Sequence, residues 1–92
     1  MNRQELIDAI AAETESSKAV VTRFLDSFIN QVQRRVAEGD SVKISGFGVF
    51  GKSKIAARLG RNPKTGETIA IPAFVRPRFS PGATFKALVK GE

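Results

Sequence analysis

The sequence contains neither cysteine nor histidine. Their absence excludes disulfides, thiolate nucleophiles, zinc-finger ligands and imidazole acid–base chemistry together. Most enzyme classes leave with them, and no catalytic residue, metal site or cofactor is expected. Long apolar runs are missing too. No stretch approaches the ~18 residues that a membrane span needs, and the opening MNRQELIDAI is charged and helix-patterned, without an apolar signal-peptide core. A cytoplasmic protein with no membrane partner is the expectation. Acidic residues are scarce in one half only. Residues 1–51 hold six Lys/Arg against seven Asp/Glu, whereas residues 52–92 hold nine against two, Glu67 and Glu92, so the second half carries all of the net charge of +6. A neutral half joined to a strongly basic one reads as a scaffold presenting a surface to a polyanion, nucleic acid ahead of an anionic membrane or a merely solvated face.

What is present fits one small domain over residues 1–92, 41% hydrophobic and 26% charged. A chain of this size buries only about 60% of the surface its unfolded form exposes, so self-association is a natural source of further core. Asn2 caps a first helix with Glu5 three residues on, and Leu6, Ile7, Ile10 and Ala11 recur at helical spacing as far as about Glu13. Ser16 or Ser17 caps a second helix, whose Val20, Val21, Phe24, Leu25, Phe28, Ile29, Val32 and Val36 form a wide stripe until Gly39 stops it. At about 32 Å that helix is long for a lone domain, and its end-to-end stripe speaks for core rather than for the reading helix of a helix-turn-helix.

From Ser41 the period becomes two, with Val42 and Ile44 alternating against Lys43 and Ser45. GFGVFG at 46–51 matches the dinucleotide fingerprint literally, but strand-like residues follow it where a helix is required. A tight strand-to-strand turn is expected instead, with Gly46 and Gly48 in conformations that side chains forbid and Phe47 and Phe50 turned into a core. The next strand runs from Val49 through KSKIAARLGR without a turn signal until NPKTG, after which ETIAIPAFVRPRF returns. Such a hairpin has limbs of roughly ten residues, about 33 Å each, and too little apolar surface for a core of its own. Ser80, with Pro81 at the first helical position, caps a last helix that turns Phe85, Leu88 and Val89 inward.

Lys52, Lys54, Arg58, Arg61 and Lys64 line up toward the tip of the long hairpin, opposed there only by Glu67. Exposed ion pairs contribute at most about 1 kcal/mol, so the cations suit a polyanion better than a structural role. GRNPKTGE is no P-loop, since the G-K-[ST] order and the following helix are both missing. Pro63 can be a simple turn residue, second in a type I or II turn that starts at Asn62 and closes at Gly66. It can also be a stiff wedge of the kind that minor-groove proteins push between base pairs. A turn can present a wedge.

The chain resembles the bacterial histone-like proteins of the HU/IHF family over nearly its whole length. The resemblance rests on MN-x-x-ELID at the start, S-K-A opening the second helix, GFGVF at 46–50, AAR-x-GRNPKTGE at 56–67 and F-x-PG before the last helix. It implies an α+β fold and an intertwined dimer: a helical base, a three-stranded antiparallel β-sheet saddle, a long β-hairpin arm and a C-terminal helix. Residues 1–51 would then be the dimerisation base and first hairpin, 52–75 the DNA-binding arm, and 76–92 the saddle strand and last helix. The implied function is architectural: double-stranded DNA bound in the minor groove with little sequence preference and bent, in a nucleoid-associated homodimer. Pro63 would be the intercalating residue, Arg58, Arg61 and Asn62 would line the groove, Lys64 would lie at the tip, and Arg3 and Lys86 would meet flanking phosphates. Phe47, Phe50 and Phe79, with Phe28 from the long helix, would form the dimer core.

The departures from the family pattern are informative. Where the family usually carries basic residues this chain has Ile55, Ser80 and Ala83, and where the family often does it has Val75, while Arg76 and Arg78 flank Pro77 at positions usually uncharged. If Phe79 points into the core, strand parity sends both arginines to the opposite face, which implies phosphate contact moved from flank to saddle. Structured RNA is the alternative partner. A nuclease is disfavoured because the basic half lacks clustered carboxylates for metal.

Overall fold

The computed structural model describes residues 1–91; Glu92, one of the two carboxylates of the basic half, lies outside them. The fold is α+β, in the order α1 (Arg3–Thr14), α2 (Lys18–Ala37), β1 (Val42–Ile44), β2 (Gly48–Ile55), β3 (Arg58–Arg61), β4 (Thr68–Ile71), β5 (Phe74–Pro81) and α3 (Ala83–Lys90). Two compact units divide it, Met1–Arg34 and the chain from Arg35 onward.

In the first unit the helix ends follow local chemistry. Asn2 Oδ1 accepts the Glu5 N–H at 2.9 Å and starts α1. Glu15 takes the left-handed conformation (φ 54°) and Ser16 N–H closes back on the Ala11 carbonyl at 3.0 Å. Of the two serines, Ser17 is the cap of α2, its Oγ accepting from Val20 N–H at 3.2 Å. Ile7, Ala11 and Val21 form a small buried cluster with Ile10 and Leu25 packed against it. The rest of the α2 stripe is less covered: Phe24 is 71% exposed and Phe28 41%.

In the second unit Gly39 (φ 95°) ends α2 as expected. Its N–H bonds to the Val36 carbonyl and Asp40 N–H to the Arg35 carbonyl, the paired closure that a left-handed residue permits. Strands β1, β2 and β5 make an antiparallel sheet in that order, and β3 pairs with β4 in a separate two-stranded ribbon. The turn from β1 to β2 closes by Phe47 N–H on the Ile44 carbonyl at 3.0 Å, with Gly46 at φ 81°. Gly48 is needed for a different reason from the expected one. It has no positive φ, but a Cβ there would sit 2.6 Å from the Ser80 carbonyl oxygen and 2.7 Å from the Phe79 ring.

Two further expectations are corrected. Ser80 and Pro81 do not open the last helix: Pro81 is still in β5, opposite Gly48, and Gly82 is the N-cap, its N–H held by the Phe47 carbonyl at 2.8 Å. Pairing with β2 keeps the chain on the sheet two residues longer than proline statistics suggest. Of the α3 residues expected to turn inward only Phe85 is partly buried, while Leu88 and Val89 are 73% and 75% exposed. Phe85 stacks on Phe47 (centroids 5.6 Å apart), and Phe47 and Phe50 meet Phe79 at 5.2 and 4.8 Å. The aromatic cluster therefore exists within one chain.

Candidate nucleic-acid interface

The sheet sorts its cations by face. Directly paired residues of an antiparallel sheet share a side, and neighbours along a strand alternate. Lys43 pairs with Val49, which pairs with Ser80, while Gly51 pairs with Arg78 and Ser53 with Arg76. Lys43, Arg76 and Arg78 therefore stand on one face, over a central strand that contributes Val49, Gly51, Ser53 and Ile55 to it. Phe50 and Phe79 lie on the other face, where Phe85 of α3 meets the Phe79 ring at 6.1 Å. Arg76 and Arg78 thus lie on the side of the sheet opposite Phe79, as strand parity requires. Lys43 was not among the expected residues, although its place in the VKI alternation was the signal that could have found it.

Lys52 and Lys54 fall on the phenylalanine face, opposite Pro77 and Val75. Lys52 Nζ donates to the Ala37 carbonyl at 3.2 Å, at the end of α2 where the helix dipole is negative. The expected single file of cations running to the tip is corrected accordingly: its first member is turned toward a helix end.

The long hairpin is not one continuous ladder. Hydrogen-bonded pairing stops at Ile55–Phe74 and resumes at Arg58–Ile71 in the same register, so Ala56 and Ala57 stand opposite Ala73 and Pro72 with no extra residue on either limb. Pro72 has no N–H to donate, which accounts for an interruption where an unbroken strand is expected from the sequence. In the ribbon beyond, Arg58 shares a face with Ile69 and Ile71, and Arg61 shares the other with Leu59. The two arginines expected to line the groove therefore point to opposite sides of the ribbon. Gly60 lies under Ile71, whose Cδ1 would be 2.7 Å from a Cβ.

At the tip, Gly66 N–H closes on the Asn62 carbonyl at 2.7 Å, with Gly66 at φ 74°. The loop thus closes between the expected ends, Asn62 and Gly66, but by a bond across five residues where a type I or II turn closes across four. Asn62 N–H donates to the Glu67 carbonyl at 2.8 Å, and Asn62 Oδ1 accepts Lys64 N–H at 2.9 Å. Pro63 and Lys64 are exposed at the apex. None of Lys43, Arg58, Arg61, Lys64, Arg76 and Arg78 joins an ion pair among the described residues, in contrast to Arg3, which is paired with Asp26. Lys86 lies exposed on α3.

A small α+β chain with an antiparallel sheet, one open cationic face and a proline-tipped basic ribbon belongs to a narrow class of architectures. A model of the family described as "Bacterial DNA-binding protein" matches residues 1–90. Among curated relatives, DNA-binding protein HU of Xylella fastidiosa is 47% identical over 90 residues, 98% of this chain and 96% of that one. HU-beta of Pseudomonas aeruginosa is 48% identical over 89 residues, covering 97% and 99%. Among solved structures, an Anabaena HU–DNA cocrystal structure superposes with a TM-score of 0.88 at 38% identity over the full length of both chains. HU from Thermotoga maritima superposes at 0.69 with 28% identity, covering 97% and 98%. The chain belongs to the bacterial DNA-binding protein family and is HU-like. No helix among the described residues is long and apolar enough to cross a membrane, and no group of metal-binding side chains occurs among them.

Proposed function

We propose that the protein is a non-enzymatic architectural DNA-binding protein of the nucleoid, acting as a homodimer that grips duplex DNA through the minor groove and bends it. The observation that carries this reading is Pro63, exposed at the apex of a cationic ribbon. A ring without an N–H loses nothing on entering a base stack, and unstacking, at a few kcal/mol per step, is offset by contacts that only bent DNA can make. Arg58 and Arg61, on opposite faces of the ribbon, reach toward opposite walls of the groove. Arg is suited to a groove that presents a degenerate pattern, which fits low sequence preference. Lys64 meets phosphate at the tip, and Lys86 does so on the flank.

Under the bent duplex, the open face of the sheet supplies Arg76, Arg78 and Lys43, the relocation suggested by the missing basic residues at 55, 80 and 83. Lys54 serves at the root of the arm. Arg3 contributes once it leaves Asp26. The dimer is supported by what one chain leaves uncovered: Phe24 on α2, and Leu88 and Val89 on α3, each more than 70% exposed. Phe28, Phe47, Phe50 and Phe79 supply its aromatic centre. That HU from Anabaena was crystallised with DNA supports the choice of DNA as ligand.

The test is end-to-end distance in a short labelled duplex, with sedimentation of the free protein alongside. The parent protein should sediment as a dimer and shorten the duplex at saturation, and Pro63→Ala should shorten it less with a modest loss of affinity. Equal shortening by both proteins would reduce Pro63 to a turn residue. A structured RNA hairpin that outcompetes nicked duplex would replace DNA as the ligand.

A further inference from the structure

We infer that Asn62 is a positioning residue that sets the aim of Pro63, rather than one of the groups that read the groove. This rests on the reading of Pro63 as the wedge and assigns the residue that makes it stiff. Three hydrogen bonds meet on Asn62: its N–H to the Glu67 carbonyl (2.8 Å), its carbonyl from Gly66 N–H (2.7 Å) and its side-chain Oδ1 from Lys64 N–H (2.9 Å). The first two would form with any residue except proline at this position. The third needs a short side chain with an acceptor three bonds from Cα, which asparagine and aspartate supply and which serine and threonine, one bond shorter, reproduce only more weakly.

The side-chain bond spans Pro63. It ties residue 62 to the N–H of residue 64, so the proline, with φ already set by its ring, is clamped on both sides. The facing atom must be the amide oxygen, because its partner is a backbone N–H, and Nδ2 is then the side chain's donor toward a ligand. Glu67 N–H on Thr65 Oγ1 at 3.3 Å and the left-handed Gly66 complete the loop on its return side. A wedge that enters a base stack from a floppy loop must be ordered at that moment, and the ordering weakens the deformation it can drive; a loop ordered beforehand avoids this. Asn62 thus acts through Pro63, on the geometry of the bend more than on affinity.

The test uses the whole protein with Asn62→Ala, Asn62→Asp and Pro63→Ala. Aspartate keeps the acceptor in place and removes the Nδ2 donor; alanine removes both. In the free protein, amide exchange at Lys64, corrected for intrinsic rates, should quicken at least about fivefold in Asn62→Ala and stay near the parental value in Asn62→Asp. With a labelled duplex at saturation, Asn62→Ala should bend as weakly as Pro63→Ala although its proline is intact. Asn62→Asp should bend like the parent while binding more weakly through charge repulsion. Parental bending or a parental Lys64 amide in Asn62→Ala overturns the inference, as does loss of bending in Asn62→Asp with Lys64 still protected, which would make Nδ2 a groove contact. Pro63→Ala bending like the parent sinks the wedge reading instead, and the Lys64 amide then decides by itself whether Asn62 holds the loop.

Discussion

Lys52 Nζ on β2 donates to the carbonyl oxygen of Ala37, the last residue of α2, at 3.2 Å. A cation at a helix C-terminus contributes roughly 0.3–1 kcal/mol. Lys52→Ala should therefore lower the thermal midpoint by a few degrees while leaving the salt dependence of DNA binding close to parental. A markedly flatter salt dependence, with an unchanged midpoint, would return Lys52 to the DNA-facing set.

Gly48 and Gly46 should respond to alanine in different ways. At 46 the cost is the left-handed backbone alone, about 1–2 kcal/mol, since nothing lies within 4 Å of a Cβ there. At 48 the methyl would run into the Ser80 backbone and the Phe79 ring. Overpacking against backbone that cannot yield costs about 3 kcal/mol or more. Chemical denaturation should rank Gly48→Ala well below Gly46→Ala; the reverse order would contradict the close approach.

Arg76 and Arg78 share the open face with Lys43. Removing a cation that neutralises one phosphate flattens the log–log salt dependence by roughly 0.9. The Arg76→Ala/Arg78→Ala pair should reduce the slope by about two units per subunit, and adding Lys43→Ala by about one more. Titrations at several salt concentrations measure this, and an unchanged slope would show that the duplex does not rest on this face.

Arg3 is ion-paired with Asp26 across two helices of the first unit. Phosphate must displace that carboxylate before Arg3 can contribute. Asp26→Asn frees the guanidinium in advance, so affinity should rise severalfold at low salt, and by less at high salt as screening grows. Weaker binding by this variant would place Arg3 outside the interface.

The Asp8 carboxyl is held below its ordinary 3.8, first by the hydrogen bond from Gln4, then by the one from Lys18, whose Nζ lies 3.2 Å away. A lowered folded-state value means the stabilisation is complete above the unfolded pKa, near 3.8, and disappears as the pH falls through the lower folded value. Asp8→Asn should thus flatten the stability profile below about pH 4 and leave its shape unaltered near neutrality. Acid titrations of the thermal midpoint test this, and identical acid limbs for both proteins would sink it.

Features that depend on a few neighbouring residues were legible in the sequence. The Asn2 cap, the stop at Gly39 and the positive φ at Gly46 each arise within a short local segment, where propensity and hydrogen-bond reach decide the outcome. Less legible was anything requiring two distant segments. The reason for Gly48 lies in Phe79 and Ser80, the late start of α3 lies in the pairing of Pro81 with Gly48, and the gap in the arm lies in Pro72 facing Ala57. Lys52 and Lys43 show the same limit: both are surface lysines on strands, and nothing local says that one meets a helix end while the other shares a face with two arginines.

By itself, then, the order of residues determined the element types, the basic second half and a proline at the head of a hairpin, because periodicity, charge and turn chemistry are short-range properties. Only the tertiary structure decided which face each cation occupies, which glycine lies under a ring and how Asn62 grips the loop. Those depend on strand register and on the Phe85 ring of α3 meeting Phe47 and Phe79, and register is a relation between segments far apart in the chain that no single segment encodes.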